Sequence, residues 1–195
     1  MSKNIKLKIL NITMLIISSI FWGMVALGLV VNFVEKTYIY PLRNSDIINE
    51  YADAYSIDRA LIYSVIKVES SFNERAQSKK GAKGLMQITE RTAEFISNQL
   101  GVKEYDLLDA KTNVNFGCWY LRYLINKFTS LNTALCAYNA GEGNVLEWLK
   151  NPVYSTDKIT LQNIPFGETK EYIERIEKAY HKYAKIHKEH IYNMV

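Results

Sequence analysis

The chain is predicted to be mainly α-helical, with one apolar N-terminal helix followed by a helical globular domain. Residues 9–34 carry no charged side chain, and Leu, Ile, Val, Phe, Met and Trp dominate them. An apolar run longer than about 20 residues is enough to cross a bilayer core as a helix. Beyond residue 45, apolar residues recur at spacings of three and four, the period of an amphipathic helix. Strand-like alternation is confined to a brief hairpin expected near Lys79–Leu85. With 195 residues the chain has room for one domain of ordinary size and an appendage.

Residues 1–8 form a basic segment with Lys3, Lys6 and Lys8 and no acid, which favours a cytoplasmic N-terminus. Residues 9–34 read as an uncleaved transmembrane signal anchor. A cleaved signal peptide has an apolar core of about 7–15 residues and small residues at its cleavage site. Here the run is longer, and Val30 to Glu35 offers bulky side chains instead. No cysteine lies near the end of the run to take a lipid. Residues 35–45 read as a linker broken by Pro41 and Asn44-Ser45, and residues 46–195 as the extracytoplasmic domain.

Within that domain a helix is expected from Asp46, as cap, to Tyr55, and a second over Ser56–Glu69. A polar, glycine-containing stretch follows to Gly84. The next helix starts near Thr89 or Glu90 and stops before Gly101. Asp109 caps a helix to about Phe128. Leu131–Tyr138 is a short helix closed by Asn139–Gly143, and another begins at Val145. Residues 151–166 form a loop bounded by Pro152 and Pro165, and a last helix runs over Gly167–Lys188.

The formal net charge is +4, so setting aside the three N-terminal lysines leaves about +1 for the remainder. Nucleic-acid binding depends on clustered Lys and Arg, and this balance does not supply it. Cys118 and Cys136 sit in apolar helical patterns and read as small core residues; one disulfide between them is the alternative in an exported chain. His187 and His190 stand three apart in the last helix without a third ligand, and read as solvent-facing. No metal and no cofactor is expected.

Glu69 is the candidate for chemistry. Ile62, Val65 and Ile66 lie seven, four and three residues before it, so all four share one helix face. A carboxylate on a core-facing stripe loses hydration, which raises its pKa, and a Glu held neutral near pH 7 can act as a general acid. The alternative is a helix-ending Glu that hydrogen-bonds a loop or pairs with a cation.

Glu69 is followed by Ser70-Ser71-Phe72, then Ala76, Ser78, Gly81-Ala82 and Gly84-Leu85-Met86-Gln87. This resembles the soluble lytic transglycosylase family, whose first motif runs E-S-x-F, then A-x-S-x-x-G-A-x-G-L-M-Q. Ala137-Tyr138-Asn139-Ala140-Gly141 is similar to the family's second motif, and Ile164 to Tyr172 to its third. The three occur in family order across residues 57–176. The resemblance implies a lysozyme-like, mainly helical fold with a substrate cleft. It also implies cleavage of the bond between N-acetylmuramic acid and N-acetylglucosamine in peptidoglycan glycan strands. That cleavage is non-hydrolytic and leaves 1,6-anhydromuramic ends, with Glu69 as single general acid and base.

The resemblance places Ser78, Gly84, Met86, Gln87, Tyr138, Asn139 and Glu168 on the substrate side. Most of these have a plainer reading: a loop hydroxyl for Ser78, a tight turn for Gly84 as for Gly81, a core side chain for Met86. Asn139 can stabilise the following glycine turn, and Glu168 can be the first-turn acid of the last helix. The family often has Pro where Glu74 stands, Met-Pro where Thr89-Glu90 stands and Arg where Lys170 stands. The rival functions are a goose-type lysozyme-like hydrolase and a non-catalytic wall-binding module. The membrane is a partner through the N-terminal helix, and protein partners are left unassigned.

Overall fold

The structure, a computed structural model, describes residues 3–192, with side chains at Lys8 and from Asn11 to Ile186. The chain forms two compact units, Met1–Leu42 and Arg43–Val195. His187 and His190 have side chains outside the described residues.

In the first unit, α1 (Lys3–Val34) continues into a π-helical turn, Glu35–Ile39. Tyr40 ends it at φ −125°, ψ 62°, as expected for the residue before Pro41, whose ring disfavours helical backbone there. The irregular linker expected from residue 35 therefore begins only at Tyr40. The apolar stretch Asn11–Ile39 is 29 residues long. At 1.5 Å per residue that is about 44 Å of helix, more than the roughly 30 Å of bilayer hydrocarbon.

The second unit contains α2 (Ser45–Tyr55), α3 (Arg59–Ser70), α4 (Glu90–Leu100), α5 (Ala110–Lys127), α6 (Leu131–Ala140), α7 (Glu142–Lys150) and α8 (Gly167–Tyr192). The expected helices all form, with shifted ends. Asp46 lies in the first turn of α2 rather than at its cap, which is Asn44. Asn44 makes no capping bond, and its Nδ2 donates instead to Glu74 at 2.8 Å. Asp58, Thr89, Asp109 and Ser130 cap α3 to α6, each accepting a backbone N–H of the first turn. The break expected over residues 139–143 shrinks to Gly141, at φ 89°. Asn139 thus belongs to α6, and α7 starts three residues before Val145. The hairpin is reduced to two antiparallel bridges, Gln77 to Lys83 and Lys83 to Ile88, and no strand forms among the described residues.

The core has a simple origin. The stripe of α3 that carries Ile62, Val65 and Ile66 is buried against α8, which contributes Tyr172, Ile173, Ile176 and Tyr183. Each such aliphatic side chain taken from water contributes about 1.5–3 kcal/mol. Tyr63 of α3 stacks on Tyr183 of α8 at 5.1 Å between ring centres. On the other side α5 packs against α2 and α6, and Arg122 of α5 donates to the carbonyls of Tyr55 and Ser56 at the end of α2. Cys118 and Cys136 are free and buried, and desolvation raises both thiol pKa values.

Candidate active site

Glu69 stands in the last turn of α3, where the helix is stopped abruptly. Ser71 and Phe72 both adopt left-handed backbone, at φ 50° and 64°, a conformation that costs a non-glycine residue about 1–2 kcal/mol. Phe72 offsets this by burying its ring 6.0 Å from that of Tyr63. The chain therefore turns sharply away just after Glu69.

Burial raises the Glu69 pKa from 4.5 to about 7, since desolvation penalises the charged form. Two groups of α8 oppose that rise: the Tyr172 hydroxyl first, then the Arg175 charge. The Tyr172 hydroxyl is fully buried and faces the carboxyl group, yet it does not meet the geometry of a formed hydrogen bond with any acceptor. It is a poised donor. Glu69 in turn raises the pKa values of Tyr138 and Tyr172, behind the larger effect of their own desolvation.

The segment that follows is held from α5. Asn113, 1% exposed, accepts the Met86 N–H at 2.7 Å and donates to the Lys83 and Leu107 carbonyls, each at 2.8 Å. Gly84 is buried beside it at φ 76°. A Cβ at Gly84 would stand 2.2 Å from Asn113 Nδ2 and 2.4 Å from the Leu107 carbonyl oxygen. Gly84 is thus required by backbone shape and close packing.

The Met86 side chain is fully buried, pressed on Gly117 of α5. The core reading of its side chain thus describes this structure, and its carbonyl accepts the Tyr138 hydroxyl at 2.8 Å. Gln87, at φ 51°, donates its amide to the Gly84 and Ala76 carbonyls at 2.9 and 3.2 Å, so it braces the loop from within. Ser78 is exposed, and its hydroxyl accepts the Ala82 N–H at 3.0 Å.

Tyr138 and Asn139, at the end of α6, join this loop to α8. Tyr138 reaches Met86 as above, and Asn139 Oδ1 accepts the buried Thr169 hydroxyl at 2.8 Å. Glu168 is exposed, and its nearest cation is Lys80 at 3.8 Å. It stands in solvent at the start of α8, near the tip of the loop, and does not share the desolvated setting of Glu69. The structure therefore brings Tyr138 and Tyr172 to Glu69 and holds Gly84, Met86 and Gln87 as scaffold. Ser78 and Glu168 are left on the exposed loop and its rim.

Sequence reasoning missed Asn113 and Arg175 and gave Tyr172 no role at the site beyond its place in the third motif. Asn113 had a signal, as an amide next to the apolar stripe of α5, and Tyr172 lies within the third motif. Arg175 had none, because solvent-facing cations are common on such a helix.

Beside this centre lies a groove of about 730 Å³ between α4, α5 and the α6–α7 junction. Its wall includes Tyr120, whose ring is 5.7 Å from that of Tyr138, and Ala140-Gly141 of the second motif. Glu69 itself does not line it.

The family described as "Transglycosylase SLT domain" matches residues 46–161. The chain is 33% identical over 152 residues to the soluble lytic murein transglycosylase of Escherichia coli K12, covering 74% of this chain and 24% of that protein. It is 38% identical over 120 residues to membrane-bound lytic murein transglycosylase F of Desulfosudis oleivorans, covering 58% and 25%. The chain thus spans about a quarter of the length of these relatives. Among solved structures, an inactive mutant of lytic transglycosylase Slt from Pseudomonas aeruginosa superposes with a TM-score of 0.64 at 26% identity, over 75% of this chain and 24% of that one. The complex of the 70-kDa soluble lytic transglycosylase with bulgecin A gives 0.63 at 30% identity, over 75% and 25%. With its lysozyme-like helical fold and a match that covers more than half its length, the chain belongs to the transglycosylase SLT domain family.

Proposed function

We propose that this protein is a membrane-tethered lytic transglycosylase that cleaves peptidoglycan glycan strands, with Glu69 as the only acid and base. The observation that carries this is a lone desolvated carboxyl whose pKa, about 7, keeps a large protonated fraction at neutral pH. Glycosidases with two carboxylates use the second for water or for covalent attack. The acids nearest in sequence or motif are elsewhere engaged: Glu74 is exposed and accepts from Asn44, and Glu168 is exposed beside Lys80.

One carboxyl suffices if the substrate supplies the nucleophile. Glu69 gives its proton to the glycosidic oxygen as the bond from the muramic anomeric carbon breaks. The muramic C6 hydroxyl then closes on that carbon and returns its proton to Glu69, so no water is consumed. Holding that hydroxyl close replaces the capture of a water molecule. Between the two steps Glu69 is ionised, and the Tyr172 hydroxyl and the Arg175 charge stabilise that state.

The test is mass spectrometry of sugars released from purified peptidoglycan by the full chain in detergent. Anhydromuramic ends are the expected result. Reducing ends would identify a hydrolase, and binding without release a wall-binding module.

The α1 span makes membrane anchoring the reading of the N-terminus, and Lys3, Lys6 and Lys8 orient it with the N-terminus cytoplasmic. Protease added to intact spheroplasts is expected to digest residues 43–195. Their protection would overturn the topology.

A further inference from the structure

A second concavity, of about 710 Å³, lies between the start of α2 and the turn that follows α3. Two arginines, Arg43 and Arg75, line it against one acid, Glu74. Both arginines are exposed, and among the described residues neither guanidinium makes a hydrogen bond or an ion pair. The Glu74 carboxylate accepts the Asn44 amide at 2.8 Å. Its backbone N–H, just past the left-handed Ser71 and Phe72, makes no backbone hydrogen bond. The concavity thus combines two unpaired guanidinium groups with an unpaired main-chain donor. That set suits phosphate oxygens, which a guanidinium grips with two parallel hydrogen bonds and which the N–H groups of sharp turns also bind.

The position in the chain selects one phosphate carrier. Arg43 follows the end of the apolar stretch at Ile39 by four residues, at most about 14 Å of extended chain. So short a tether holds the concavity at a high effective concentration of phospholipid headgroups. Basic residues next to a membrane span are drawn to anionic lipid, each by an amount equal to about fivefold in affinity. The concavity is also open to solvent, as a headgroup that stays in its bilayer requires.

We infer that Arg43 and Arg75 together bind the phosphate of an anionic phospholipid headgroup and dock the catalytic domain on the membrane that anchors it. This rests on the membrane anchoring proposed above. Because Ser71 to Arg75 run on directly from the helix of Glu69, the same contact steadies the turn that ends α3.

The experiment is amide hydrogen exchange on the full chain in vesicles of phosphatidylcholine, alone or in equal parts with phosphatidylglycerol. Residues 71–76 are expected to exchange about tenfold more slowly in the phosphatidylglycerol vesicles at low salt, with the protection fading as salt rises. Arg43→Gln with Arg75→Gln should abolish that protection. Lys103→Gln with Lys158→Gln removes as much charge from exposed positions outside the concavity and should keep it. All four side chains are exposed, so neither pair is expected to disturb folding. Equal exchange in the two kinds of vesicle, or protection that survives the arginine pair, would overturn the inference. Loss in the lysine pair as well would reduce the effect to diffuse charge and overturn the site. The same protection from inorganic phosphate in phosphatidylcholine vesicles would make the ligand a soluble anion and overturn the docking. A chain that fails to float with vesicles of either kind would overturn the anchoring itself, and this inference with it.

Discussion

Glu69→Gln is expected to lower the release of anhydromuramic products by at least about a thousandfold, while making the folded protein more stable than the parent above neutral pH. The loss follows because an amide cannot give and recover a proton, and a positioned acid or base is worth about 10²–10⁴ in rate. The gain in stability follows from the raised pKa. The folded state holds the Glu69 proton up to about pH 7, and the unfolded chain only to about 4.5. Between those values the folded state binds more protons, so stability falls as pH rises through the window and levels off above it. That shift corresponds to roughly 3 kcal/mol, which the Gln variant does not lose. Thermal unfolding at pH 8 should show the variant melting several degrees above the parent, with the two converging near pH 4. The kcat/KM of the parent should fall as pH rises through about 7, because the first step needs the protonated acid. A variant that cleaves within tenfold of the parent would remove Glu69 from the mechanism.

Gly84→Ala is expected to destabilise the protein by about 3 kcal/mol or more, as the left-handed backbone penalty adds to broken Asn113 hydrogen bonds. Gly101→Ala isolates the first of these. Gly101 also has positive φ, 68°, but an added Cβ there meets nothing within 4 Å, so its cost should stay near 1 kcal/mol. Thermal unfolding of both variants by circular dichroism gives the comparison. Equal melting points would show that the Asn113 cluster yields without cost.

Glu69 and the helices around it were legible because their signals are local. The α3 stripe sets which face is buried, and burial sets the carboxyl's protonation. The starts at Thr89 and Asp109 were likewise written next to the helices they cap, whereas the helix expected from Ser56 begins only at Arg59, with Asp58 as its cap. What escaped were relations between distant segments. Met86 looks the same in sequence whether it faces a cleft or Gly117, and only the docking of α5 decides. Glu168 follows the motif into the site region, but its exposure and its pairing with Lys80 depend on where the loop tip comes to rest. Asn44 seemed a breaker and became a cap whose side chain had been taken by Glu74.

The α5 helix gives up some of its own stability for the loop that lies against it. Gly117 in its interior costs about 1 kcal/mol against alanine, and Asn113 occupies a buried position where an apolar side chain would be simpler. In return, Gly117 makes room for Met86, and Asn113 fixes both Lys83 and Met86. Inheritance of cleft shape is thereby divided. Exposed positions of the loop such as Ser78, Lys79 and Lys80 do not hold its path in this way. The loop's backbone path is stored some 30 residues downstream, on a helix that carries none of the three motifs. Transplanting the loop into a relative would carry its rim chemistry but not its shape, unless Asn113 and Gly117 travelled with it.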